Sequence, residues 1–155
     1  MSEMTNFLSW VHWTLAIAQK IALVGSALFA GALLYRAGYV DPLQRGAELG
    51  PALRSFREET EPADAKLASL AWLAAVAAAL AFLGGAGMAW LVGAVAEALA
   101  AMYLITELRR TRHALEIADP GAEIFAGEWL RRWRGQNNCL SLHAAWIPWL
   151  LVFQL

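Results

Sequence analysis

Lys20, Glu97 and His143 stand inside apolar stretches of a chain of 155 residues. A charged side chain at mid-membrane costs at least ~2.5–3.5 kcal/mol on insertion scales, so such residues face a bundle interior, a cavity or a partner. An amine, a carboxyl and an imidazole within reach of one another could do acid–base chemistry. Glu97 would abstract a weakly acidic proton, His143 would act as acid or orienting group, and Lys20 would steady a developing oxyanion. These three are the candidate catalytic residues.

Depth brings them together. Counted at ~1.5 Å per helical residue from the basic flanks, His143 lies about 13 Å deep from Arg134, Glu97 about 18 Å from Arg109, and Lys20 about 24 Å from Arg36. Long side chains close gaps of that size, and the expected pairing is Lys20 with Glu97. Small residues mark an inward seam. Ala22, Ser26 and Ala30 give small-xxx-small packing in the first helix, and Gly93 and Ala101 flank Glu97. Gln19 and Ser26 are polar on that seam and are candidate substrate-binding groups. Gln136, Cys139 and His143 share a face of the last helix. Plainer alternatives stay open: Lys20 snorkelling to the headgroups, Glu97 in an ion pair without reactivity, or His143 as an interhelical hydrogen-bonding residue.

Those positions require four membrane helices. Hydrophobic residues make up 59% of the chain and charged residues 16%, with a mean hydropathy of +0.46. A soluble domain is ~45–50% apolar and ~25% charged, so the composition leans to the membrane class. No apolar segment alternates with period two. The chain reads as all-α, an integral membrane four-helix bundle of up-down topology. It forms a single transmembrane domain over 1–155, with spans at about 7–35, 67–83, 88–108 and 139–155 and cytoplasmic loops at 36–66 and 109–138. "GGAG", Gly84 to Gly87, is turn chemistry between antiparallel helices. "GEWLRRWRGQ" alternates aromatic and basic residues and reads as an amphipathic inner-leaflet helix before the last span. The first loop carries three prolines and both charge signs, with a short helix through "ALRSFREE". Pro148 is expected to kink the last helix.

Every Lys or Arg except Lys20 falls between helices one and two or between helices three and four. The positive-inside rule makes that side cytoplasmic and puts both termini outside, as for a multi-pass protein of a bacterial-type inner membrane. Trp10, Trp13, Trp90, Trp146 and Trp149 fall toward the outer ends and Trp72 nearer the inner face, as an aromatic belt would place them. "MSEMTNF" has no Lys or Arg, unlike a secretory signal, so the first helix is expected to be retained. The single cysteine, Cys139, excludes an internal disulfide and reads as packing.

Glu97 and His143 would supply two metal ligands where a catalytic zinc uses three. No P-loop, dinucleotide or HExxH spacing occurs. No metal, cofactor or nucleic-acid partner is therefore expected. The expected surroundings are a lipid bilayer, a lipophilic small molecule, and other membrane subunits or a homo-oligomer.

Three stretches resemble the anthrone-oxygenase-like family of small four-helix membrane proteins: "ALFAGALLYRAGYVDPLQR", which reaches Pro42, "RRTRHALEIADP", and "EWLRRWRGQNN". In the last, Trp133 is followed four positions on by Asn137, and both join the candidate substrate-binding residues. The family's Asn and Pro residues closing the third helix are replaced by "ITELRRTR", and the Arg expected three residues after Asn137 is Leu140. The resemblance implies the architecture and a cofactor-independent oxygenation of a lipid-soluble aromatic or quinone-like substrate. A non-catalytic accessory subunit of a larger membrane complex is the alternative. On the oxygenase reading, Glu97→Gln abolishes oxygen uptake with an anthrone-type substrate; unchanged uptake removes the residue from the chemistry. Sizing in mild detergent separates the classes: a lone small oligomer fits an enzyme, and co-purifying polypeptides fit a subunit.

Overall fold

The computed structural model describes residues 2–39, 49–117 and 123–153, and every regular element among them is helical. Helix α1 spans Ser2–Tyr39, α2 Leu49–Leu83 and α3 Met88–Tyr103. A π-helical turn at Leu104–Leu108 passes α3 into α4, Arg109–Ile117, and α5 spans Glu123–Val152. Consecutive long helices reverse direction. α2 packs against α1 and α3, and α5 packs against α1 and, less extensively, α3, so four long helices close a bundle.

Three helical stretches are long and apolar enough to cross a membrane: Ser9–Ala37, Ala63–Leu83 and Met88–Thr111. α5 is not among them: the basic stretch ending at Arg134 is followed by Gln136, Asn137 and Asn138, so its apolar run starts only at Cys139. The outward faces of all four carry large apolar side chains, among them Ile17, Val24, Leu73, Val76, Val95, Leu99 and Leu142. A soluble protein seldom exposes so continuous an apolar surface, whereas lipid tails solvate it.

Small residues let the helices approach. The fully buried Ala71, Ala74 and Ala81 form one stripe of α2. A Cβ at Gly25 of α1 would stand 3.1 Å from the Ala74 Cβ. Close backbone contact of this kind replaces the hydrophobic drive that lipid removes. The α2–α3 reversal uses Gly85 and Gly87 at φ 94° and 93°, where a side chain would be strained. Two apolar clusters fill the interior. One, toward this turn, holds Ala22, Ala78, Ala81, Trp90, Ile147 and Leu151. The other, toward the opposite end, holds Phe29, Leu33, Ala101, Leu104, Leu108 and Leu130 among others.

Several expectations need correction. The segment expected as a hydrated loop is helical from Leu49, so α2 is 35 residues long, about 52 Å against a ~30 Å hydrocarbon core. Pro51 lies in its first turn, where a missing N–H costs nothing. "EWLRRWRGQNN" is not a separate surface helix. It forms the first half of an uninterrupted α5, and Trp133 is buried. Trp90 is buried too, within the cluster that holds the small Ala78 and Ala81, while Trp10, Trp13, Trp146 and Trp149 are exposed as a belt requires. Pro148 lies inside α5, which continues to Val152. Pro42, the "ADP" at 118–120 and the last two residues of the expected fourth span lie outside the described residues.

Ala74→Leu should overpack the α1–α2 contact at a cost of about 1–3 kcal/mol. Leu73→Ala, on the exposed face beside it, should change little. Thermal unfolding in detergent reads both; equal effects would contradict the packing.

Candidate functional site

Each long helix buries one stripe, and the polar residues on those stripes mark the interior. In α1 the stripe is Ala22, Ser26, Phe29, Leu33 and Arg36; in α2, Asp64, Ala68, Ala71, Ala74 and Ala78. α3 and its π-helical continuation bury Trp90, Ala94, Glu97, Ala101, Leu104 and Leu108. α5 buries Leu130, Trp133, Asn137, Leu140, Ala144, Ile147 and Leu151. Steps of three and four residues keep each stripe on one side of its helix.

Glu97 has no exposed surface. It sits between the two apolar clusters, and Ser26 of α1 is the polar side chain that faces it. Neither carboxyl oxygen and neither lone pair of the Ser26 hydroxyl closes a hydrogen bond of standard geometry. Gly93, one turn away, lets Leu151 of α5 in so closely that a Cβ there would stand 2.8 Å from a leucine methyl. Glu97 thus faces inward as its position implies, in a contact closed on all sides.

Lys20 does not meet it. The lysine is exposed, one residue off the α1 stripe, and makes no ion pair with Glu97. The expected pairing fails because the helical rotation from Ala22 back to Lys20 turns the amine to the outer surface, where it can snorkel. Gln19 is half-buried and His12 exposed, so of the three residues spaced by heptads in α1 only Ser26 reaches the core.

The ion pair that does form is elsewhere. At the far end of the Ser9–Ala37 stretch, Arg36 Nη1 donates to Asp64 Oδ1 of α2. The Arg36 guanidinium also lies 4.9 Å from the Trp133 ring centroid of α5, a cation–π contact. Asn137 is one turn further along α5. Its carbonyl accepts from the Ser141 hydroxyl at 2.7 Å, and that hydroxyl also reaches the Leu33 carbonyl of α1 at 3.1 Å. Trp133 therefore belongs to a three-helix junction with Arg36 and Asp64, and Asn137 lies buried one turn further along α5. Composition alone marks Arg36 as a flank and Asp64 as loop, yet both continue their helices' buried stripes.

His143 is exposed, not interior. It lines a groove of about 330 Å³ on the outer side of the loose α3–α5 contact, together with Leu99, Tyr103, Cys139 and Trp146. Ala96, Ala100 and Ile147 form its floor, and Glu97 is not part of the lining. At one end the Tyr103 hydroxyl faces the Gln136 side chain of α5. Close by, Thr111 Oγ1 lies 2.9 Å from Gln136 Oε1 and 3.0 Å from the Glu107 carbonyl, linking α4 to α5. The groove is overwhelmingly apolar, with Tyr103 and His143 among its few polar side chains. The candidate catalytic residues thus fall in three places: Glu97 in a closed contact, His143 on a lateral groove, Lys20 on the outer face. No group of three or more His, Cys, Asp or Glu able to hold a metal occurs among the described residues.

No protein-family model matches the chain, and neither the curated proteins nor the solved structures contain a match to it.

The two pairings differ in measurable weight. Asp64→Asn leaves the Arg36 charge buried beside an uncharged partner and should cost about 3 kcal/mol. Lys20→Gln should stay within about 0.5 kcal/mol of the parent, as exposed substitutions do. Melting in detergent checks this; a large loss on changing Lys20 would restore the pairing with Glu97.

Proposed function

We propose that the chain is an integral membrane protein of a bacterial-type inner membrane, with all four long helices crossing and both termini outside, that takes a lipid-soluble aromatic or quinone-like molecule into the α3–α5 groove. The observation that carries this reading is the groove itself. Its volume is at the lower end of small-molecule sites, ~300–1,000 Å³. Its open side lies among exposed apolar residues, Leu99 and Trp146 among them, so the occupant comes from lipid. Its small floor of Ala96 and Ala100 between Tyr103 and Trp146 suits a flat ring, and His143 and the Tyr103 hydroxyl offer polar contacts to a ring oxygen.

Cofactor-independent oxygenation is the chemistry the sequence resemblance suggests for such a site. Glu97, the carboxyl expected to act as base, is not part of the groove lining, whereas His143, expected as acid or orienting group, is; in this reading the imidazole takes over as the base. The alternative, an accessory subunit, is favoured by one observation: α1 and α2 are far longer than a bilayer needs, which gives a partner a helical stalk to grip.

A quinone carrying a photoreactive group, irradiated with the full chain in vesicles, should label residues of the groove walls between Leu99 and Tyr103 and between Cys139 and Trp146. His143→Ala should lower any oxygen uptake with an anthrone-type substrate by about 10²-fold or more, with Glu97→Gln retaining most of it. Labelling spread evenly over the outer apolar faces would overturn the groove. Uptake lost in Glu97→Gln and kept in His143→Ala would return the chemistry to the carboxyl.

A further inference from the structure

The junction of Arg36, Asp64 and Trp133, with Asn137 one turn further along α5, is more elaborate than an ion pair requires, and the groove reading does not use it. Arg36 is 4% exposed, yet only Nη1 has a partner. Nε and Nη2, the two nitrogens that form the parallel fork of a guanidinium, are buried and make no hydrogen bond. That edge matches a carboxylate or phosphate bidentately. Asn137, 1% exposed, has a buried Oδ1 with no donor. The Trp133 ring packs against the guanidinium, with its centroid 4.9 Å from Cζ. Two spare donors and one spare acceptor, enclosed at the same end of the same bundle, depart from the rule that buried polar groups are paired.

Their level narrows the complement. Arg36 lies one residue before the end of the apolar stretch Ser9–Ala37, where lipid phosphates meet the hydrocarbon. The same end of the bundle carries Lys66, Arg109, Arg110, Arg131, Arg132 and Arg134. Basic pockets between helices on the cytoplasmic side suit anionic headgroups. We propose that the Arg36 fork and Asn137 Oδ1 form a site for an anionic phospholipid headgroup that carries a hydroxyl. The phosphodiester oxygens accept from Nε and Nη2, and the headgroup hydroxyl donates to Asn137. Asp64 keeps Nη1 and holds the fork in place. The four residues come from α1, α2 and α5, so a bound headgroup ties three helices together. Arg132, exposed and 5.2 Å from the Trp129 ring centroid, supplies only non-selective attraction to the same leaflet.

The test uses the full chain purified in a zwitterionic detergent, with lipid retention read by native mass spectrometry and thermal stability read alongside. Phosphatidylglycerol should be retained and should raise the melting temperature, while phosphatidylcholine and inorganic phosphate should do neither. Arg36→Lys keeps the charge and loses the fork, and should weaken phosphatidylglycerol retention about tenfold. Asn137→Ala leaves the Arg36–Asp64 pair in place and should weaken it less but measurably, so a misfolded Arg36 variant does not leave the matter open. Arg132→Gln should retain the lipid like the parent. Equal stabilisation by inorganic phosphate, equal retention of phosphatidylcholine, or a larger loss in Arg132→Gln than in the Arg36 and Asn137 variants would overturn the site. Failure of quinone labelling in the groove would leave it untouched.

Discussion

A carboxyl halfway along an apolar helix must be enclosed, and the enclosure of Glu97 organises this bundle. Lipid offers it neither water nor a counter-ion. The α3 stripe that carries it therefore turns toward α1 and α5, with Ser26 across from it and an apolar cluster on either side. Once that rotation is set, Ala96, Leu99 and Tyr103 must fall on the opposite side of α3. They become one wall of the lateral groove. The closed seam and the open groove are two faces of one helix, fixed by one residue's need for burial.

The second constraint lies at the charged end. Arg36, Asp64 and Trp133 join three helices where each leaves its apolar stretch. Breaking one partner of a buried pair is expensive because the other charge is stranded, so this junction fixes the register of α1 against α2. The π-helical turn at Leu104–Leu108 serves the neighbouring corner. Its extra residue re-aims the chain between Tyr103, at the groove, and Thr111, which contacts Gln136 of α5.

Much of this was legible in the sequence, and the misses share one cause. Four helices, the "GGAG" reversal and the inward turn of Ala22, Ser26, Ala30 and Glu97 follow from hydropathy and small-residue spacing. Position along a helix can be counted from the sequence, whereas rotation about its axis depends on which stripe a residue joins. Lys20 sits at a plausible height for Glu97 but off the stripe that runs 22, 26, 29, 33, 36. His143 and Cys139 likewise sit off the stripe 130, 133, 137, 140, 144, 147, 151. The same steps of three and four place Arg36 and Asp64 inside, although their flanking composition reads as loop. The groove was not legible, because it arises from how loosely α3 and α5 meet, and no local pattern encodes that. The continuity of α5 through its basic half was missed because an amphipathic segment beside a span reads the same whether it bends onto the membrane or runs straight on.

The central claim is that α3 turns Glu97 toward Ser26 and away from Lys20. Paired cysteines read that rotation directly in a Cys139→Ala background. With a short bis-thiosulfonate cross-linker, Ser26→Cys with Glu97→Cys should join within the chain, and Lys20→Cys with Glu97→Cys should not. Cross-linking through position 20 in place of position 26 would contradict the seam and the groove built on it.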